Sequence, residues 1–258
     1  MNRTDRKRQA KVDEKQLAHG VDPESSDPAL IAAMARQMLR LFETAKSEKN
    51  IDPAVKFFHA KVEATLKGST IPVACGKGCA HCCHSWVSVI APEALFVAKQ
   101  IRKKEGGDLV EKVKAAYRIT RDLDSAARTR LAAPCPLLAA DLCTVYQGRP
   151  AVCRFAASVS ATACQRVLRL LAAETIPTPA RNVRGRVAYE IAASIALVEA
   201  GLPHRYYEFN AALMRALERD DAEAAWLAGE DVFAGVRQDP TDTAATPNAQ
   251  AIRRYAFR

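Results

Sequence analysis

The stretch from Cys75 to His84 reads C-G-K-G-C-A-H-C-C-H and places four of the chain's eight cysteines within nine positions. Thiolates this close repel one another and oxidise readily, so a folded protein tolerates them chiefly where a metal ion or cluster neutralises their charge. The stretch therefore predicts a metal site, and the chain around it must form a loop that can wrap a metal.

The spacing within this stretch is C-x3-C-x2-C, with a further cysteine directly after the third. Gly76 and Gly78 can adopt backbone conformations that other residues resist, which lets the loop fold around an ion and point amide N–H groups at sulfur. Neighbouring side chains of an extended chain point apart, so Cys82 and Cys83 are awkward ligands for one tetrahedral ion. They suit a site with more than one metal, or a pair in which only one cysteine binds.

A second cysteine segment, C-P-L-L-A-A-D-L-C-T-V-Y-Q-G-R-P-A-V-C-R, runs from Cys135 to Arg154, and one more cysteine follows ten residues later. Two prolines, a glycine and no sustained period predict loop and short turns here. We expect both cysteine groups to converge on one metal centre or on two adjacent ones. The alternative is that several cysteines of the second group are buried apolar side chains. The predicted ligands are Cys75, Cys79, Cys82, Cys83, Cys135, Cys143, Cys153 and Cys164.

Charged and aromatic residues flank these ligands. Arg149 and Arg154 lie on either side of Cys153, and guanidinium groups there would stabilise a thiolate site and hydrogen-bond its sulfur atoms. The alternative is that they are two surface arginines. With eight cysteines available, His81 and His84 are expected beside the ligands rather than among them.

Apolar residues at helical spacing predict a mainly α fold, with helices before and after a loop-rich, cysteine-ligated metal core. The predicted helices cover residues 28 to about 45, 52 to 67, 92 to 105, 108 to about 131, 187 to 200, 206 to 217 and 222 to 227. We divide the chain into a flexible basic leader over 1–27, a single α-helical domain over 28–234 with its metal core at 71–165, and a polar tail over 235–258.

Three further features have alternative interpretations. Trp86–Ile90 alternates briefly and predicts a short strand or an extended lead-in. Glu93 could act as a catalytic acid, but a carboxylate in the first turn of a helix is favoured by the backbone dipole. His59 lies near an apolar helix face, where a packed or hydrogen-bonded role is expected. No nucleophile–base pair, phosphate loop or carboxylate pair stands out, so the sequence predicts no catalytic residue.

Charge and hydropathy limit the partners. Lysine and arginine outnumber aspartate and glutamate by 38 to 29, and part of the excess lies at the chain ends. No basic face is interleaved with stacking aromatics, so nucleic acid is not an expected partner. We expect a protein partner or a redox donor of unknown identity, and no membrane, because no apolar run of about 18 residues exists.

The expected compartment is the cytoplasm, since the N-terminus has no apolar segment followed by a cleavage site. Thiols are kept reduced there, and an even number of cysteines then indicates metal ligands more readily than disulfides.

The ordered combination of C-x3-C-x2-C-C, C-P-L-L and C-T-V-Y-Q-G-R-P-A-V-C-R resembles the YkgJ-type cysteine-cluster family of zinc- or iron-chelating domains. The resemblance covers about Cys75 to Cys164 and not the flanking helices. It implies metal binding, with an iron–sulfur cluster or zinc as the cofactor. More distantly, flagellin lysine N-methylase carries a similar cluster, which makes an iron–sulfur enzyme of that type an alternative.

Radical S-adenosylmethionine enzymes share the C-x3-C-x2-C spacing, with three cysteines holding a four-iron cluster. That interpretation predicts a series of strand–helix units after the motif. This chain offers helices and few strands, so we rank it below the cysteine-cluster family.

Three classes of function remain open. The metal centre could be the functional element, in redox chemistry, group transfer or metal handling. Zinc could instead be structural, with the helical surface binding a protein or nucleic acid. The cysteines could also form a dithiol redox switch without metal. Structural zinc sites usually show paired C-x2-C knuckles, which the second segment lacks, and this favours a cluster or a binuclear site.

Overall fold

The computed structural model describes residues 3–17, 27–67, 69–103 and 107–257. It is mainly α-helical, which confirms the predicted fold class. The helices of the described residues are α1 (Arg3–Gln16), α2 (Pro28–Glu48), α3 (Asp52–Lys67), α4 (Ala91–Lys103), α5 (Gly107–Thr120), α6 (Ser125–Leu131), α7 (Ala151–Phe155), α8 (Ala161–Arg169), α9 (Ala180–Glu199), α10 (Phe209–Glu218), α11 (Ala222–Leu227) and α12 (Pro247–Ala256).

Helix α2 forms the centre of the fold. Its predicted start is confirmed, because the Asp27 carboxylate accepts a 2.8 Å hydrogen bond from the Ala29 amide and Pro28 occupies the first turn. α2 packs against α9, α12, α1 and α3. Alanine is frequent in these interfaces, and rings fill the space between helices: the centroids of Phe42 and Phe58 lie 5.4 Å apart. The core is therefore built from small side chains around a few aromatic ones.

The chain ends differ from the sequence expectation. Residues 3–16, expected within a flexible leader, form α1, and the buried Asp13 accepts from Arg36 at 2.7 Å and from Arg40 at 2.9 Å on α2. α1 has no apolar stripe, so its ionic contact with α2 left no periodic signal in the sequence. Residues 18–26 of the expected leader lie outside the described residues.

The expected polar tail contains α12, which is capped by Thr246 and packs on α2 and α9. Ala249 and Ile252 are its buried residues. Because only two side chains are buried, the apolar pattern is too short to predict a helix. The division of the chain into leader, domain and tail stays a prediction.

The predicted long helix over 108–131 is wrong, because it is two helices, α5 and α6. The Asp124 side chain accepts a 2.7 Å hydrogen bond from the Ala127 amide and so starts a new helix. The left-handed Ala132, with φ of 49°, ends α6 and leads the chain toward the second cysteine segment.

Two short antiparallel pairs complete the fold. β1 (Ser88–Ile90), the predicted short strand, pairs with β4 (Tyr206–Glu208) in the register Ser88 to Glu208. The prediction of a helix from Tyr206 is therefore wrong at its start, because pairing with β1 holds these residues extended. β2 (Leu138–Ala139) and β3 (Leu142–Cys143) form a hairpin. The described residues show no series of strand–helix units after the cysteine motif, which argues against the radical-enzyme interpretation.

Within the described residues, no helix has both the length and the apolar character that crossing a membrane requires.

Candidate metal centre

The first cysteine segment is an exposed loop followed by a tight turn. Residues 71–78 are all exposed, and Gly78 has a φ of +85°, a conformation that a side chain would strain. The amide of Cys79 donates to the Gly76 carbonyl at 3.0 Å. A 3-10 helix over His81–His84 then carries the adjacent cysteines. The loop is thus held by few contacts of its own.

One backbone hydrogen bond joins the two cysteine segments: the amide of Cys135 donates to the carbonyl of Cys83 at 2.7 Å. The β2–β3 hairpin follows, with Leu138 opposite Cys143. The side chains of Cys135 and Cys143 are partly buried against the hydrophobic core. The second segment therefore begins beside the turn that carries Cys82 and Cys83.

The last two cysteines lie on short helices. Cys153 is in α7, whose first amide, that of Ala151, donates to the buried Glu93 carboxylate at 2.7 Å. Cys164 is buried in α8, which begins at the Ser160 cap and packs on the 3-10 helix His81–His84. Helix α8 therefore lies against the turn that carries Cys82 and Cys83.

The thiols of Cys75, Cys79, Cys82 and Cys164 form one electrostatic group. Burial raises the pKa of Cys75, a hydrogen bond from the Ser158 amide opposes that rise, and the other three thiols add to it. The Ser158 amide lies 3.4 Å from the Cys75 sulfur. The sequence did not predict this hydrogen bond to the Cys75 sulfur, because its donor is a backbone amide, which nearly every residue type has.

The remaining thiols form a second group. The pKa of Cys135 is raised to about 11 by burial, with Cys143 adding to the rise. The pKa of Cys153 is raised well above its usual range by burial and by Cys135, Cys82 and Cys143. For Cys83 the pKa is raised first by its hydrogen bond to Cys82, then by burial, and also by Cys135 and Cys153.

Cys82 acts electrostatically on members of both groups and is the more acidic thiol of the adjacent pair. Its pKa is lowered to about 7, first by the hydrogen bond with Cys83 and also by the Arg149 guanidinium, against an opposing effect of burial. Its side chain is exposed. Cys82 is therefore the thiol of the adjacent pair that loses its proton more readily.

All eight predicted ligands are free thiols, and each influences or is influenced by the charge of at least one other. Among the described residues, no three histidine, cysteine, aspartate or glutamate side chains are already arranged to hold a metal ion. The chemistry of the donor set nevertheless fits soft thiophilic metals, since clustered thiols suit zinc and iron–sulfur clusters. Which cysteines are ligands stays a prediction.

The two flanking arginines have different surroundings. Arg149 lies 3.7 Å from the Tyr146 ring centroid and acts on the Cys82 thiolate. Arg154 is buried and turns to Glu63, at 2.6 Å, and to His59. The sequence predicted that both guanidinium groups stabilise the thiolates. Arg149 does so electrostatically at Cys82, whereas Arg154 donates its hydrogen bonds to groups other than sulfur. Arg154 is neither a sulfur-bonding group nor a surface arginine.

Three histidines lie near this region. His84 is buried, and its Nδ1 donates to the Ala80 carbonyl at 3.1 Å, while His81 lies half-buried in the same turn. His59 is buried as expected; its Nδ1 accepts from Arg154, so its proton is on Nε2. Burial and the nearby guanidinium of Arg154 lower the pKa of His59 to about 3, which keeps the ring neutral.

Glu93 is buried and has a structural role. Its place in the first turn of a helix predicted such a role, but not its contacts with other helices. It accepts from the amides of Ala151 and Ile90 and from the hydroxyl of Tyr189. Burial raises its pKa to about 7. Glu93 thereby ties α4 to α7 and α9, and so fixes the helix that carries Cys153.

Residues 74–172 match the family model CxxCxxCC, described as "Putative zinc- or iron-chelating domain". This segment is similar to that family, and the matched range is less than half of the chain. The matched range contains all eight cysteines, although Cys75 and Cys79 are separated by three residues where the family title has two. No curated protein and no solved structure matches the chain, and the expected link to flagellin lysine N-methylase is not confirmed.

Proposed function

We propose that the CxxCxxCC domain of this chain binds zinc or an iron–sulfur cluster through its eight cysteines. The observation that supports this most directly is the connection between the two cysteine segments. The Cys135 amide donates to the Cys83 carbonyl, and thiols of the two segments influence one another electrostatically. Separate buried apolar cysteines would not need this convergence.

Zinc bound there would give a closed thiolate site, whereas an iron–sulfur cluster would supply electron transfer. The chain contributes the remaining stabilisation. The Ser158 amide donates to the Cys75 sulfur, and such a bond favours the thiolate form that binds metal. The Arg149 cation offsets part of the negative charge that four thiolates leave on a divalent ion.

We further propose a cytoplasmic location and a protein partner or redox donor. The location is supported by the eight free thiols of the described chain, since oxidising compartments favour disulfides. No observation favours a nucleic-acid partner or the methylase type of enzyme over metal binding itself.

The test is purification without oxygen, followed by measurement of zinc, iron and acid-labile sulfide per chain together with the visible spectrum. Iron with sulfide and broad absorption near roughly 400 nm indicates a cluster, and zinc without colour indicates a zinc protein. Cys79→Ser is expected to lower the metal content. Lys77→Ala, in the same exposed loop, should leave it unchanged. A folded wild-type chain that neither contains nor takes up metal would overturn the proposal.

A further inference from the structure

We propose that a cavity between α3 and α4 binds a small organic anion, a carboxylate or a phosphate ester, whose oxyanion accepts a hydrogen bond from His59. The cavity has a volume of about 400 Å³, a size usual for small-molecule sites. Among the described residues that line it, none is a cysteine. The inference therefore goes beyond the proposed metal binding and does not depend on it.

Two helices supply most of the cavity's lining. On α3 the lining residues follow one face between positions 52 and 63, and on α4 they follow one face between positions 96 and 103. Residues three or four positions apart lie on the same side of a helix, so each helix turns one face toward the same space. Residues 147–148 and the buried Arg154 complete the lining.

His59 supplies a hydrogen-bond donor that has no partner in the described part of the chain. The Arg154 guanidinium donates to His59 Nδ1 at 3.2 Å. Burial and that guanidinium lower the pKa of His59 to about 3, so the neutral ring has a single proton. Because a guanidinium can only donate, Nδ1 is the acceptor and the proton lies on Nε2.

The surroundings of His59 Nε2 favour a bound acceptor. His59 is 7% exposed, and its Nε2 is buried without a hydrogen-bond partner among the described residues. An unpaired donor at a buried position is unfavourable. An acceptor bound in the cavity, whose wall includes His59, would satisfy it.

The charges of the lining favour an anion over a neutral acceptor. Its two carboxylates already have cationic partners: Asp52 lies 2.6 Å from Lys99 Nζ, and Glu63 lies 2.6 Å from Arg154. They therefore add little negative charge to the space between the helices.

Two lysines and one aromatic ring define the class of anion further. Lys56 on α3 and Lys103 on α4 are exposed lining residues, and Lys56 has no carboxylate partner in the described part of the chain. The Phe96 ring lies edge to face with the His59 ring, at 5.8 Å between centroids. Apolar surface beside the donor fits an organic anion better than a bare inorganic ion.

The first experiment is isothermal titration calorimetry of the full chain, as purified, with succinate, AMP and inorganic phosphate as probes. We expect saturable binding of succinate or AMP at one site per chain, and weaker binding of inorganic phosphate. Cys79→Ser, which changes the proposed metal site and not the cavity, should bind the probe as the wild type does. No saturable binding of any of the three probes at millimolar concentration would overturn the proposal.

Three variants of α3 locate the binding. Lys56→Gln should weaken it by about fivefold, the effect of removing one exposed charge pair. Ala60→Leu adds bulk at an exposed lining position and should weaken it at least as much. Lys67→Gln lies on the same helix outside the cavity and should bind normally. Unchanged binding in both cavity variants, or equal losses in Lys56→Gln and Lys67→Gln, would overturn the assignment to this cavity.

Histidine NMR tests the donor in the wild-type chain. With nitrogen-15-labelled histidine, we expect His59 to be protonated on Nε2, and the probe to shift this nitrogen more than those of the other four histidines. His59→Asn, which keeps an acceptor for Arg154, assigns the signal and should bind the probe about tenfold more weakly. Protonation of His59 on Nδ1, or a bound probe that leaves its signals unmoved, would overturn the proposal.

Discussion

The amide of Cys135 donates a 2.7 Å hydrogen bond to the carbonyl of Cys83. This bond joins the two cysteine segments through backbone atoms alone, without using any sulfur. The two segments are therefore joined by the protein's own backbone, in addition to any metal that their thiols hold. The exposed loop before Cys79 has no comparable anchor beyond its contacts with Ser158.

Hydrogen exchange should reveal this contrast. In the metal-free chain we expect the Cys135 amide to be protected and amides of the loop 71–78 to exchange rapidly, because the loop is exposed and makes few bonds. Zinc should slow exchange in the loop and change it little at Cys135. Peptide-level exchange measured with and without zinc checks this. Equal protection gains in both segments would contradict it.

Arg149 and Arg154 should respond differently to substitution. Arg149→Gln removes a cation that lowers the pKa of Cys82, so that pKa should rise and alkylation of Cys82 at pH 7 should slow by up to about threefold. The measurement is the pH profile of Cys82 alkylation in the metal-free chain.

Arg154→Gln should leave that profile nearly unchanged and destabilise the fold by about 1–3 kcal/mol. The reason is that it leaves His59 and the Gln147 carbonyl without their donor. Denaturant unfolding measures this. An Arg154 variant with wild-type stability would show that its buried contacts contribute little.

Gly185→Ala should destabilise the packing behind the site. A Cβ at Gly185 would lie 2.8 Å from Phe155 Cε1 and 3.2 Å from Thr65 Cγ2, so Phe155 would have to move. We expect a loss of about 1–3 kcal/mol, measured by thermal or denaturant unfolding. Because Phe155 ends the helix that carries Cys153, zinc bound by the cysteines should also be released faster.

Gly107→Ala is the matched control, since it adds the same methyl group at a helical glycine with nothing within 4 Å. It should keep or slightly raise stability. Equal effects of the two substitutions would contradict the predicted clash.

Glu93 should make stability depend on pH. Its pKa is raised by burial from an ordinary 4.5 to about 7, so the folded state binds the proton more tightly than the unfolded state. The corresponding stabilisation is fully present below pH 4.5 and is lost as pH rises through about 7. Relative to Glu93→Gln, the wild-type free energy of unfolding should fall by about 3 kcal/mol across this range. Denaturant unfolding of both chains at several pH values tests this, and parallel pH profiles would refute it.

Several parts of the fold could be predicted from local sequence. Asp27, Pro28 and the apolar periodicity of α2 define a helix start by local capping chemistry, and the structure has that start. Ser88–Ile90 is extended as its alternation predicts. In the same way, the clustered cysteines indicated a resemblance to a family of zinc- or iron-chelating domains, and the family model that matches residues 74–172 confirms that resemblance.

Other parts depended on contacts between residues distant in sequence. Residues 206–208 have a pattern that suits a helix, yet they pair with β1. α1 is placed by ion pairs of Asp13 with Arg36 and Arg40, which no periodic pattern records. The role of Glu93 depends on Ala151 and Tyr189, which lie on two other helices.

For the candidate site, the sequence by itself determined the donor chemistry: eight thiols, with two glycines that free the backbone of the first loop. Only the tertiary structure decided what surrounds those thiols: the Cys135–Cys83 backbone bond joins the two segments, and the Ser158 amide contacts the Cys75 sulfur. Residue type fixes what a side chain can bind, whereas its neighbours in space are fixed by long-range packing and backbone hydrogen bonds that spacing along the chain does not encode.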